Sequence, residues 1–193
     1  MPTNDLPGTV DVDRVALIVR DLLTALGEDP DRDGLADTPL RVARWWSEFV
    51  DYDPGKLATT FEGVEIDQMV AVTGIRVWSL CEHHLLPFWA DIDIAYIATD
   101  RILGLSKFAR IAHQHAHRLQ VQERLVTGIA DQIESLTEAE SVAVVATGEH
   151  LCMTMRGIQA PAIMHSSILR GLFKHDPAAR AELFSLRSRG AAA

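Results

Sequence analysis

The only two cysteines of this chain, Cys81 and Cys152, both stand among histidines. Cys81 opens Cys81-Glu82-His83-His84, and Cys152 lies in His150-Leu151-Cys152-Met153-Thr154-Met155-Arg156-Gly157. Cys-x-x-His spacing lets Cys81 and His84 reach one ion from a single tight turn, and Cys152 could add a third ligand from a distant segment. Zinc takes sulfur and imidazole nitrogen in a tetrahedron; three protein ligands leave the fourth position for water, the arrangement of a catalytic site. Bound water there falls in pKa from ~15.7 toward ~7, which supplies hydroxide at neutral pH. Against this stands the plainer reading that both cysteines are small buried hydrophobes.

Such groups need elements to hold them. The 193 residues, 48% hydrophobic and 23% charged, allow one domain with a substantial core. A net charge of −9 argues against a broad basic surface for nucleic acid, while leaving room for a local cationic cluster around a small anion. Met1-Pro2-Thr3-Asn4-Asp5 lacks the features of a secretory signal, and no apolar run approaches the ~20 residues of a membrane helix. A soluble cytoplasmic protein is expected, where paired cysteines serve metals or catalysis more often than disulfides.

Apolar residues from Val12 to Leu26 recur at helical spacing and stop at Gly27; Thr38-Pro39 reads as the cap and first position of a helix to Val50. Arg41 and Arg44 share a face of that helix. Asp29-Pro30-Asp31-Arg32-Asp33-Gly34 imitates a calcium loop, but Leu40 stands where the bidentate glutamate is required. Residues 51–68 read as irregular. Strands are expected at Met69 to Leu80, around Ala90 to Ile94, and at Ser141 to Thr147, Leu151 to Ile158 and Ala162 to Leu169. Asp100 to Gly104 reads as a turn, Ser106 as the cap of a helix over Lys107 to Arg118, and further helices span Val121 to Leu136 and Pro177 to Leu186. Adjacent strands without a helix per crossover predict an α+β fold with an antiparallel sheet.

Four stretches hold more polar detail than a fold requires: the two cysteine motifs, Gly104-Leu105-Ser106-Lys107-Phe108-Ala109-Arg110, and Gln120-Val121-Gln122-Glu123-Arg124-Leu125. In this order and spacing, together with Thr38-Pro39-Leu40-Arg41-Val42-Ala43, they resemble the GTP cyclohydrolase I family over about residues 12 to 186. The resemblance implies opening of the guanine imidazole ring of GTP, loss of C8 as formate, and reclosure to 7,8-dihydroneopterin triphosphate. It implies zinc on Cys81, His84 and Cys152, with His83 protonating the imidazole nitrogen as C8 is attacked and His150 assisting. Histidine suits proton movement because it titrates near working pH.

By the same resemblance Glu123, with Gln122 beside it, holds the guanine; a carboxylate offers two acceptors to N1–H and the 2-amino group. Lys107, Arg110 and Arg156 suit a triphosphate, and arginine can clamp its oxygens bidentately. Ser106 is expected near the ribose, with Arg41 and Arg44 reaching across from a neighbouring subunit. The implied architecture is the tunnelling fold, an antiparallel sheet backed by two helices and closed into an oligomeric barrel. An N-terminal helical part (1–68) precedes the catalytic part (69–193), and the assembly is a homodecamer.

His113 and His117, four apart on a helix, match no family role and read as a solvated or packed face, as do His165 and His175. Two departures stand out: Trp89-Ala90-Asp91 replaces a usual glycine-lysine pair, and residues 160–170 are threonine-poor and one residue short. Competing readings are a related enzyme acting on another purine or pterin, and a non-catalytic zinc- or purine-binding protein.

Overall fold

A computed structural model describes residues 9–62 and 67–190, with side chains described as far as Arg187. Met1 to Asp5, and residues 63–66 of the stretch expected to be irregular, lie outside the described residues. The chain divides into two compact units, Met1–Asp53 and Pro54–Ala193.

The first unit is a pair of packed helices, α1 (Val12–Ala25) and α2 (Thr38–Val50). Asp11 caps α1 by accepting the Arg14 N–H at 2.9 Å. Gly27, at φ 85°, closes it in the left-handed region where glycine is at ease. Thr38 proves to be the first helical residue of α2 rather than its cap; Asp37 occupies the cap, with no side-chain bond. Asp31 of the acidic loop pairs with Arg20 at 2.5 Å, and Asp29 accepts the Asp31 N–H, so these carboxylates serve the turn itself.

The second unit holds β1 (Thr60–Glu62), β2 (Met69–Cys81), β3 (Pro87–Ile97), β4 (Arg101–Leu103), α3 (Leu105–Ala116), β5 (Leu119–Gln120) and α4 (Gln122–Thr137). After them come β6 (Val142–His150), α5 (Leu151–Thr154), β7 (Met164–Leu169), α6 (Leu172–His175) and α7 (Pro177–Gly190). The architecture is α+β. Five strands run in the order β5-β2-β3-β6-β7, antiparallel except for the short parallel contact of β5 with β2.

Helices α3 and α4 cover one face of the sheet. Their Phe108, Ile111, Leu125, Ile129 and Ile133 pack on Val77, Phe88, Ile92, Ile94 and Tyr96. On the other face, Phe173 and Leu183 cover Ala95 and Ala143. Arg187 of α7 meets the buried Asp93 at 2.5 Å.

Strand β2 carries a bulge that decides where its end points. Val72 pairs with Ile94 and Ile75 with Ile92, so β2 spends one residue more than β3 across this step. Before the bulge Val70 and Val72 face α3 and α4; after it the parity changes, and Ile75, Val77 and Cys81 do. A one-residue slip exchanges the two faces of a strand, so without this insertion Cys81 would point away from the helices. Gly74 makes the step at φ 74°, and its N–H is held by Asp93 Oδ1 at 2.8 Å.

Two further expectations are corrected. Asp100 to Gly104 is not only a turn, because β4 lies within it and pairs with β1. Leu151 to Ile158 is not a strand: the last ladder pair is Phe88 with His150. Beyond Phe88 the partner strand begins at Pro87, which has no N–H to extend the ladder. The chain turns instead into the one-turn helix α5.

Candidate active site

Cys81 is the last residue of β2, and the turn that follows is closed on its carbonyl by the N–H groups of His84 (3.3 Å) and Leu85 (2.8 Å). Leu85 adopts φ 56°, and Cys81 N–H returns to Leu86 O at 2.8 Å. This tight turn carries His84 back over Cys81. Cys152 arrives from α5, just past the end of β6. The ligand atoms of Cys81, His84 and Cys152 all lie within 4.8 Å of one another. Two thiols and an imidazole at this range fit a soft divalent ion, and among the described residues this is the one group of three or more such side chains. His113, His117, His165 and His175 stand outside it. His165 bonds Thr147 Oγ1 at 3.1 Å, and the His113 and His117 rings meet edge to face at 5.7 Å.

Burial, and then the neighbouring Cys81 thiol, push the Cys152 thiol up from its ordinary value. A bound cation reverses that preference, since coordination selects the thiolate. Around the cluster, His83 Nδ1 lies 3.8 Å from Cys81 Sγ. Arg156 Nη1 sits 2.9 Å from His84 Nε2; arginine can only donate, so that nitrogen is the acceptor.

His150, at the end of β6, stacks on the buried Phe88 with ring centroids 4.3 Å apart and planes within 7°. Its Nε2 lies 3.0 Å from Gln122 Oε1 at the start of α4. The Gln122 amide nitrogen is already donated to Ala146 O, Met164 O and Ser166 Oγ at 3.1–3.2 Å. The amide oxygen is therefore the acceptor, and His150 carries its proton on Nε2, leaving the Nδ1 lone pair available. Burial lowers the His150 pKa, and the Glu123 carboxylate partly opposes this. Glu123 itself stands exposed in the first turn of α4.

Gln122 was expected at the substrate. It is fully buried, and every polar atom of its amide is engaged with the protein. Ser106, expected as a helix cap, lies inside α3 and is exposed; Gly104 is the cap. Lys107 Nζ and Arg110 Nη1, on the first turns of α3, each donate at 2.6 Å to the carbonyls of Lys56 and Pro54. In the other unit Arg41 pairs with Asp37 at 2.9 Å, and Arg44 is exposed. Sequence reasoning passed over the ion pair of Glu82 with Arg124 at 2.7 Å, which holds the Glu82 carboxyl below the usual range. It also passed over the Phe88 stack. Both residues lay in view within the motifs, but contact across 42 residues leaves no periodic trace.

A model of the GTP cyclohydrolase I family matches residues 15–188. This chain belongs to the GTP cyclohydrolase I family. Its relatives include a GTP cyclohydrolase 1 of Rhodopirellula baltica, 46% identical over 186 residues that cover 94% of this chain and 81% of the relative. Another, of Deinococcus radiodurans, is 48% identical over 87% of this chain and 80% of its own. A third, of Corynebacterium glutamicum, is 48% identical over 91% and 93%. The apo crystal structure of an archaeosine synthase QueF-Like overlaps 51% of this chain at 14% identity and a TM-score of 0.40, a likeness too slight to bear on the fold. Among the described residues no helix is long and apolar enough to cross a membrane.

Proposed function

We propose that this chain is a zinc-dependent GTP cyclohydrolase I, which hydrolyses the guanine imidazole ring of GTP, releases C8 as formate and yields 7,8-dihydroneopterin triphosphate. The observation that carries the reading is the convergence of Cys81, His84 and Cys152 within 4.8 Å, in a chain of this family. Those three residues would hold the metal, which when bound supplies Lewis acidity and acidifies water at the base.

The remaining roles belong to side chains. Glu123 accepts N1–H and the 2-amino group of guanine and so fixes the base in its plane. His83, with Nδ1 turned toward Cys81, delivers a proton from Nε2 to an imidazole nitrogen as C8 is attacked. His150 is kept neutral by burial and is aimed by Gln122 and Phe88, so it takes or returns a proton at Nδ1. Lys107, Arg110 and Arg156 receive the triphosphate, and Ser106, exposed in the first turn of α3, lies toward the ribose. Carbonyls of residues 54–56 hold Lys107 and Arg110 in place until phosphate oxygens replace them.

The fold is proposed to be the tunnelling fold, with residues 69–193 as its catalytic part and the N-terminal helices as an extension. Assembly as a cytoplasmic homodecamer places Arg41 and Arg44 at a neighbour's site. The open edges at β5 and β7 give a physical reason for such pairing. The test is incubation of metal-replete protein with GTP, followed by assay for formate and for the fluorescent oxidised pterin. A protein with metal bound that makes neither refutes the proposal. Cys152→Ser should abolish both products together with stoichiometric metal.

A further inference from the structure

The groups proposed to act on the base hang on separate elements. The cluster belongs to the turn after β2 and to α5, while Glu123 belongs to the first turn of α4. A purine is a rigid plate, so C8 stands at a fixed separation from the N1–H and 2-amino edge. Reaction therefore requires the turn and the helix to keep a matching separation, and misplacement by about 1 Å can cost on the order of 100-fold in rate.

A side-chain pair spans the gap from the turn to the helix. Glu82 sits between Cys81 and His83; Arg124 follows Glu123. Arg124 Nη1 donates to Glu82 Oε2 at 2.7 Å and Nη2 to Oε1 at 3.1 Å, two parallel bonds in the fork geometry that fixes orientation as well as distance. The backbone braces the same line: Glu82 N–H donates to Gln120 O at 3.1 Å, and Cys81 pairs with Gln120 where β5 meets β2. Gln120 is buried, and its side-chain oxygen accepts the Val121 N–H at 3.0 Å directly before α4 begins. The Arg124 and Glu82 side chains are 53% and 31% exposed, a setting in which an ion pair adds little to stability. Its geometry thus exceeds what folding requires of it.

We propose that Glu82 and Arg124 are positioning residues, a bracket that sets the metal turn at the distance from Glu123 that a guanine base demands. This rests on the cyclohydrolase reading of the site. The experiment compares Glu82→Gln, Arg124→Gln and the milder Arg124→Lys with the parent protein. It measures metal per chain, melting temperature, kcat and KM for GTP, and hydrogen exchange of the amides of residues 82–86.

The bracket predicts full metal content and near-parental melting. It predicts kcat lowered about 10- to 100-fold in both glutamine variants with KM changed little, Arg124→Lys between them and the parent, and faster exchange confined to the turn. Parental kcat in both glutamine variants overturns it, as does a loss of turnover that tracks loss of metal. If the parent releases no formate from GTP, the reaction assignment fails by itself. The exchange measurement then still judges the bracket, and unchanged exchange across residues 82–86 overturns it.

Discussion

Replacing Gln122 with methionine separates two roles for this residue. Methionine keeps the length and volume of glutamine but removes an amide that accepts from His150 Nε2 and donates to Ala146 O, Met164 O and Ser166 Oγ. The two carbonyls belong to paired strands, and the Ser166 hydroxyl can rotate to another partner. The His150 N–H cannot, because stacking on Phe88 fixes its ring. A half-buried donor left without an acceptor costs about 1–3 kcal/mol. With about 2 kcal/mol lost, melting should fall by about 4–8 °C at fixed protein concentration for a chain of this size. The kinetic signature follows from the same geometry. If Gln122 acts by aiming His150, kcat falls about 10- to 100-fold, part of the 10²–10⁴ that positioned acid–base groups contribute, while KM for GTP holds. If Gln122 touches the base directly, KM rises and kcat holds. Thermal melting and steady-state kinetics on Gln122→Met decide the matter. A variant with parental melting and parental kcat refutes the reasoning.

Three further outcomes are expected. Gly74→Ala should cost about 1–2 kcal/mol from left-handed backbone strain alone, because an added Cβ meets nothing within 4 Å; Gly74→Asn should cost less, and chemical denaturation of both variants checks the order. Gly128→Ala would place a methyl 2.6 Å from His115 Nδ1, so overpacking of about 1–3 kcal/mol should outweigh the ~1 kcal/mol gain in helix propensity, and combining it with His115→Ala should relieve the clash in a double-mutant cycle. His115 itself is pushed down chiefly by burial, with Gln132 and Asp131 opposing and Arg118 assisting. The unfolded chain therefore binds its proton first, near pH ~6.5, and stability is lost as pH falls from there toward the folded value. His115→Asn should flatten that slope between about pH 7 and 5.5 in thermal melts.

The longer helices α1 to α4 were legible because each repeats apolar residues over three or more turns, and α1 and α2 fall within a residue of their expected ends; the one-turn α5 and α6 carry no such repeat. Three features of the site were not. Leu151 to Met155 is apolar but for Thr154 and reads as a strand, yet a strand needs a partner, and the ladder stops where Pro87 can donate nothing. That stop is what turns Cys152 back toward Cys81. The bulge at Gly74 had a signal, an isolated glycine inside a strand pattern, but its consequence for the face of Cys81 needs the pairing register to be seen. The pairing of β1 with β4 joins residues about forty apart and leaves no local periodicity to read. The ligand spacing was legible because Cys-x-x-His needs only one turn, whereas the buried use of Gln122 depends on four distant atoms.

The residues read as departures from the family pattern sort by the two faces of the sheet. Trp89 and Asp91 alternate with Phe88 and Ala90 and so lie on the face away from α3 and α4. There they form a closed group with Arg76, whose guanidinium lies 4.0 Å above the Trp89 ring and bonds both carboxylate oxygens of Asp91 at 2.5 and 2.9 Å. The charge that Asp91 introduces is neutralised by its cross-strand neighbour and never reaches the site. In the threonine-poor segment the register runs unbroken from Ala143 with Leu169 to Gly148 with Met164. Before the strand the chain turns at Gln159, with φ 51°. His165 takes Thr147 on the far face, while Ser166 keeps its bond to Gln122 on the near one. Alternation lets one face of a strand be rebuilt while the other keeps its contacts. The substitutions should therefore alter what the far face meets and leave the contacts that aim His150 intact.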